Sequence, residues 1–137
     1  MPRESGDAGR GRPPVALGVA KSAHHVAGLK LSDREHTAVV MDFAGTLIAK
    51  VAVPRSPGAT PAADFVVAAE ALLDTVLARA ALARSDLSHV GIGLPGFVRS
   101  GEGRVYWSSV VSERGVDLAA MASERLGLPV SIDNDAN

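Results

Sequence analysis

The sequence contains no cysteine, so its fold can hold neither a disulfide nor a thiolate metal site, which agrees with a cytoplasmic home. Aromatic residues make up only 4% of the chain, and much of its 47% hydrophobic content is alanine and valine, a composition that favours helices packed on β-branched strands. A charge excess is also missing. The formal net charge of −1 offers no global attraction to nucleic acid or an anionic membrane, and leaves any DNA contact to a local basic cluster. No apolar run reaches the roughly 18 to 20 residues that span a bilayer. The opening Met-Pro-Arg-Glu-Ser-Gly-Asp lacks the apolar core of a signal peptide, so no membrane partner is expected. A Walker-type loop, a G-x-S-x-G elbow and an H-E-x-x-H pair are all absent. At 137 residues the chain is sized for one modest core.

What is present falls into a clear order. Residues 1 to about 14 are rich in Gly, Arg and Pro without a hydrophobic period and read as a flexible arm. Within it, Gly9-Arg-Gly-Arg-Pro-Pro14 sets Arg10 and Arg12 on a slim extended segment that suits a narrow minor groove, or else a solvated basic linker. Val15 to Val19 reads as a short edge strand. Val26 to Leu31, Thr37 to Asp42 and Leu47 to Val53 then form three strands whose short polar connections make them antiparallel neighbours. Thr60 as N-cap and Pro61 at the first helical position open a helix in which Phe65, Ala69, Leu72, Leu73, Val76, Leu77 and Ala80 share one face, ended by Ser85-Asp86. Val90 to Leu94 is a buried strand reached by that crossover. The order is β-β-β-α-β.

Gly91-Ile-Gly-Leu-Pro-Gly96 has the spacing of a dinucleotide fingerprint but lies in a strand and a proline turn, so that reading fails, and Gly96 instead leaves space for a ligand beside the strand end. His24, His25, His36 and His89 have no metal-ligand spacing and read as solvated or locally bonded. After a strand from Arg104 to Trp107, a helix from about Asp117 stops at Gly127, a good C-cap, with Pro129 preventing its resumption. Val130 to Ile132 is the last strand. Asp133, Asn134 and Asp135 stand at its carboxyl end, where open α/β sheets place ligands. Two carboxylates and an amide there can orient hydroxyls, one carboxylate serving as general base, or they can form an Asx turn that caps a following helix.

Gly91-Ile-Gly-Leu-Pro-Gly-Phe-Val98, Gly115-Val-Asp-Leu-Ala-Ala120, Leu126-Gly-Leu-Pro-Val130 and Asp133-Asn-Asp-Ala-Asn137, in that order and spacing, resemble the ROK family of sugar-responsive repressors, open reading frames and sugar kinases. The resemblance covers about residues 26 to 137. It implies an α/β fold, the incomplete N-terminal lobe of an actin-like (ribonuclease H-like) architecture. It also implies that Asp135 matches the catalytic base, which in the kinases takes a proton from a sugar hydroxyl as it attacks ATP, and that Asn134 holds sugar hydroxyls. The kinases carry a phosphate-handling turn, Asp-x-Gly-Gly-Thr, between their first two strands. The register set by Asp42-Phe-Ala-Gly45 puts Lys30-Leu-Ser-Asp-Arg34 there, so side chains replace bare backbone and Asp33 would repel phosphate. That pattern is similar to the repressor branch.

In that branch a winged helix-turn-helix precedes the sugar lobe, and its wing ends in a segment similar to Gly9 to Pro14. The resemblance therefore implies residues 1–19 as a flexible arm and remnant of a DNA-binding wing, with Arg10 and Arg12 on DNA. Residues 20–137 become the truncated N-terminal part of a ROK sugar-binding domain. Trp107-Ser-Ser-Val-Val-Ser-Glu-Arg114 stands where members carry an asparagine and a tryptophan of the sugar pocket. The family's zinc site is implied beyond Asn137. The expectation is a cytoplasmic, sugar-responsive transcriptional regulator, homo-oligomeric at full length, whose effector is a small sugar or sugar phosphate and whose DNA contact runs through an upstream winged helix-turn-helix. No cofactor is expected in this segment. The alternatives are a glucokinase-like enzyme using ATP and magnesium, or an inactive truncated product.

Overall fold

Ala27, Leu29 and Leu31 alternate with less buried positions, as do Ala38 and Val40, and Ala49 and Val51; this period of two buries one face of each segment and pins its register. In the computed structural model, which describes residues 24–55 and 58–134, they are strands β1 (His25–Leu31), β2 (Glu35–Asp42) and β3 (Leu47–Pro54). The three form the expected antiparallel meander, with Leu29 opposite Ala38 and Ala38 opposite Val51. Asp42 closes the second turn, its Oδ1 accepting the N–H groups of Ala44 and Thr46 at 2.9 Å each.

Helix α1 (Ala62–Ala80) buries the face read from its period, including Phe65, Ala69, Leu72, Leu73, Val76 and Leu77. Its start differs from the sequence reading. Pro61 takes the N-cap position without a side-chain bond, and Thr60 forms a bridge with Val111. The first helical N–H, that of Ala62, is met instead by Glu113 Oε1 at 2.6 Å, because the proline side chain has no oxygen to offer and the helix N-terminus favours a carboxylate. The helix also ends earlier than expected, at Ala80, with Ala81 left-handed. Ser85 and Asp86 lie in a separate 3-10 turn (Arg84–Asp86), in which Asp86 accepts the Ala83 N–H at 2.8 Å.

Strand β4 (Leu87–Leu94) then runs parallel to β1. The short strands β5 (Phe97–Arg99), β6 (Arg104–Trp107) and β7 (Val116–Asp117) make a small antiparallel sheet beside it. Asp117 caps α2 (Leu118–Leu126) by accepting the Ala120 N–H at 3.2 Å, and Gly127 ends the helix in the left-handed conformation, as its sequence position predicts. Strand β8 (Val130–Asn134) pairs parallel to β4. The main sheet thus has the order β3-β2-β1-β4-β8. Helix α1 packs over β1 to β3, α2 packs on β8, and the helices touch, which closes one core over one face. An ion pair joins the two helices, Arg125 to Glu70 at 2.8 Å, and Arg84 ties the 3-10 turn to α1 through Glu70 and Asp74 at 2.9 Å each. The hydrogen bonds from Arg125 and Arg84 hold the Glu70 carboxyl below its ordinary pKa. The consequence for the site is simple. Parallel pairing of β1, β4 and β8 brings their three carboxyl ends to one edge.

Candidate functional site

Three segments meet along that edge: the β1–β2 turn at 32–34, Pro95-Gly96 after β4, and Asp133-Asn134 at the end of β8. Leu94 is the register partner of Asn134, and the Asn134 side-chain amide donates to the Gly96 carbonyl. The structure therefore joins two of the residues read as ligand-binding. Asp133 Oδ1 accepts the N–H of the next residue, Asn134, at 2.8 Å at the strand end.

Gly96 has a φ of +135°. A Cβ there would overlap the Trp107 carbonyl oxygen and stand 2.7 Å from Ser108 Cα, so the space opened by the glycine is filled by the β6 end. Ser108 Oγ donates to Pro95 O at 2.5 Å and accepts the Val110 N–H at 3.1 Å. Ser109 Oγ donates to Asp33 Oδ1 at 2.8 Å. The loop at 108–113 is also held from below, where Thr60 N–H donates to Val110 O at 3.0 Å and Ser112 N–H to Thr60 O at 2.8 Å.

The turn itself is internally bonded. Ser32 directs both its N–H, at 3.1 Å, and its hydroxyl, at 2.7 Å, to Glu35 O. Arg55 lies beneath, its guanidinium donating to Gly58 O at 2.8 Å and reaching the Ser32 and Asp33 carbonyls at 3.5 Å. Beside Arg55, His36 borders a groove of about 240 Å³ with Val53, Ala68, Ala71, Leu72 and Thr75. Burial lowers the His36 pKa, and the Arg55 charge lowers it further.

This has a measurable sign. The unfolded chain takes up a proton at His36 as pH falls through 6.5 while the folded protein resists until a lower pH, so stability falls over that interval and levels below the folded value. His36→Gln should flatten the dependence of the urea midpoint on pH just below 6.5; an unchanged slope would remove His36 as its source.

What sequence reasoning missed is the bonding of Asp33, Ser108 and Ser109. Ser108 and Asp33 belong to contacts spanning 13 and 76 positions, and serines before a Val-Val pair carry no signal that separates them from solvated ones. Asp135, Arg10, Arg12 and the segment from Val15 to Val19 lie outside the described residues. Among the described residues no group of three or more His, Asp or Glu side chains is placed to hold a metal ion, and no helix is long and apolar enough to cross a membrane.

The ROK family model matches residues 26–137. This chain belongs to the ROK family. It is 33% identical over 104 residues to a glucokinase of Halalkalibacterium halodurans, covering 74% of this chain and 31% of that protein. It is 25% identical over 127 residues to a xylose repressor of Caldicellulosiruptor bescii, covering 93% and 32%. Among solved structures, the ROK hexokinase from Thermus thermophilus matches with a TM-score of 0.68 at 24% identity, over 82% of this chain and 36% of that one, which carries the fold. The chain spans about a third of the length of these relatives. The ROK lobe described above is accordingly an incomplete actin-like lobe, and its relatives include both repressors and sugar kinases.

Proposed function

We propose that this ROK lobe is the effector-sensing part of a cytoplasmic, sugar-responsive transcriptional regulator. The observation that supports the reading over a kinase is the β1–β2 turn. A phosphate-binding turn needs bare backbone N–H groups aimed at the anion. Here Ser32 spends its N–H and hydroxyl on Glu35 O, and Asp33 adds a carboxylate bonded to Ser109. This turn would offer a nucleotide phosphate a carboxylate where bare backbone is needed, which supports the regulator over phosphoryl transfer.

What these residues can do is bind and orient. Asn134, anchored on the Gly96 carbonyl, and Asp135 beside it would hold the hydroxyls of a small sugar, with Asp135 retained as an acceptor where a kinase uses its base. Gly96 contributes by letting the chain pack closely enough to offer that carbonyl. Residues 20–137 would form the sugar-binding lobe. Residues 1–19, through Arg10 and Arg12, would add minor-groove contacts to those of an upstream winged helix-turn-helix. Sugar would shift a closure equilibrium by binding its two states unequally, and so change DNA affinity.

In the full-length protein, a binding sugar should change operator affinity by about tenfold, within the usual range for coupled sites. The measurement is a DNA titration with and without D-xylose, D-glucose or N-acetyl-D-glucosamine. A second reading, a glucokinase-like enzyme, is favoured by the identity to kinase relatives. Sugar phosphate formed from ATP by the same protein would establish it and overturn the regulator.

A further inference from the structure

Two adjacent serines hold two neighbouring strand ends. Ser108 is the buried polar residue among the described residues, and its hydroxyl is used twice, toward Pro95 O at 2.5 Å and from the Val110 N–H at 3.1 Å. Ser109 reaches the other way, to Asp33 Oδ1 at 2.8 Å. The dipeptide thereby staples the end of β4 to the turn after β1. Gly96 packs directly on the backbone of Trp107 and Ser108, and its carbonyl receives the Asn134 amide. A continuous series of short contacts thus runs from Asp33 through Ser109, Ser108 and Gly96 to Asn134, without passing through the hydrophobic core.

We propose that Asp33 is a positioning residue for the ligand-binding corner, acting through Ser109 on the loop at 108–113 and through Gly96 on the Asn134 amide. The inference rests on the sugar-binding reading of Asn134 given above. The chemistry assigns the acid a role opposite to the one its place in the turn suggests. An ionised carboxylate is only an acceptor, so it orients the Ser109 hydroxyl and fixes the loop. Removing it frees one end of the staple while Thr60 and Glu113 keep the other, so the loop should shift without unfolding.

The experiment is calorimetric titration of the protein with D-glucose, D-xylose and N-acetyl-D-glucosamine in five forms: wild type, Asp33→Asn, Asp33→Ala, Ser109→Ala and the double Asp33→Ala/Ser109→Ala. For the sugar that wild type binds most tightly, Asp33→Ala and Ser109→Ala should each weaken affinity about fivefold, as expected for one partly exposed hydrogen bond. The double variant should lose no more than either single one, because both remove the same bond. Asp33→Asn keeps the Oδ1 acceptor and should stay within about twofold of wild type. A purely structural role would not produce that rescue. Additive losses, an Asp33→Asn as damaged as Asp33→Ala, or an Asp33→Ala that binds normally would each overturn the inference alone. Wild type that binds none of the three sugars would overturn the sugar-binding reading, and the inference with it.

Discussion

Gly96→Ala should lower the unfolding free energy by ~3 kcal/mol or more, since a positive-φ position reserved for glycine and a steric clash act together. The φ of +135° already disfavours any residue with a Cβ. The added methyl would also lie within the radius of the Trp107 carbonyl oxygen and 2.7 Å from Ser108 Cα, both backbone atoms that no side-chain rotation can move. The loss is large against the roughly 5 to 15 kcal/mol of a typical domain. Urea unfolding of the purified variant measures it. A shift below about 1 kcal/mol would mean that the β4–β5 turn can relax, and would remove the steric basis for the Gly96–Asn134 contact. Gly101→Ala is the control, because nothing lies within 4 Å of a Cβ there.

Leu94→Ala should cost about 3 kcal/mol, within the range of roughly 2 to 5 for a leucine deleted from a core that cannot collapse around the gap. Leu94 is fully buried, at the last position of β4 and opposite Asn134 in register. Its side chain supports the corner from the core side while the Asn134 amide supports it from the polar side. Leu47→Ala, at a leucine 53% exposed on β3, should change stability by less than about 0.5 kcal/mol. The comparison is read from midpoints in parallel urea titrations. Equal effects at the two leucines would mean that the core face has been assigned to the wrong side of the sheet.

The three strands β1 to β3, the helical spacing in α1, the start of α2 near Asp117 and the Gly127 stop were all legible, because each depends on residues within one element and on which face they bury. The order β-β-β-α-β and the motifs from 91 to 137 pointed to the ROK family, which the family match over residues 26–137 bears out. The start of α1 was misplaced by one position for a physical reason. Its cap is Glu113, a carboxylate brought from 51 residues away, while the local candidates Thr60 and Pro61 take other roles.

Gly96 shows the same division within the site. Its need for a glycine could be suspected from a Pro-Gly turn at a strand end, but the cause is the backbone of Trp107 and Ser108, which the β5–β6 hairpin folds back against it. The Asp33–Ser109 bond has even less trace in the residue types, because it depends on parallel pairing of β1 with β4 and on the path of the loop after β6. Local pattern therefore determined the elements, their buried faces and the family, since hydrophobic spacing and backbone caps act over a few residues. Only the tertiary structure decided which polar groups meet at the carboxyl edge, because hydrogen bonds between distant side chains exist only once strand order has brought them within 3 Å.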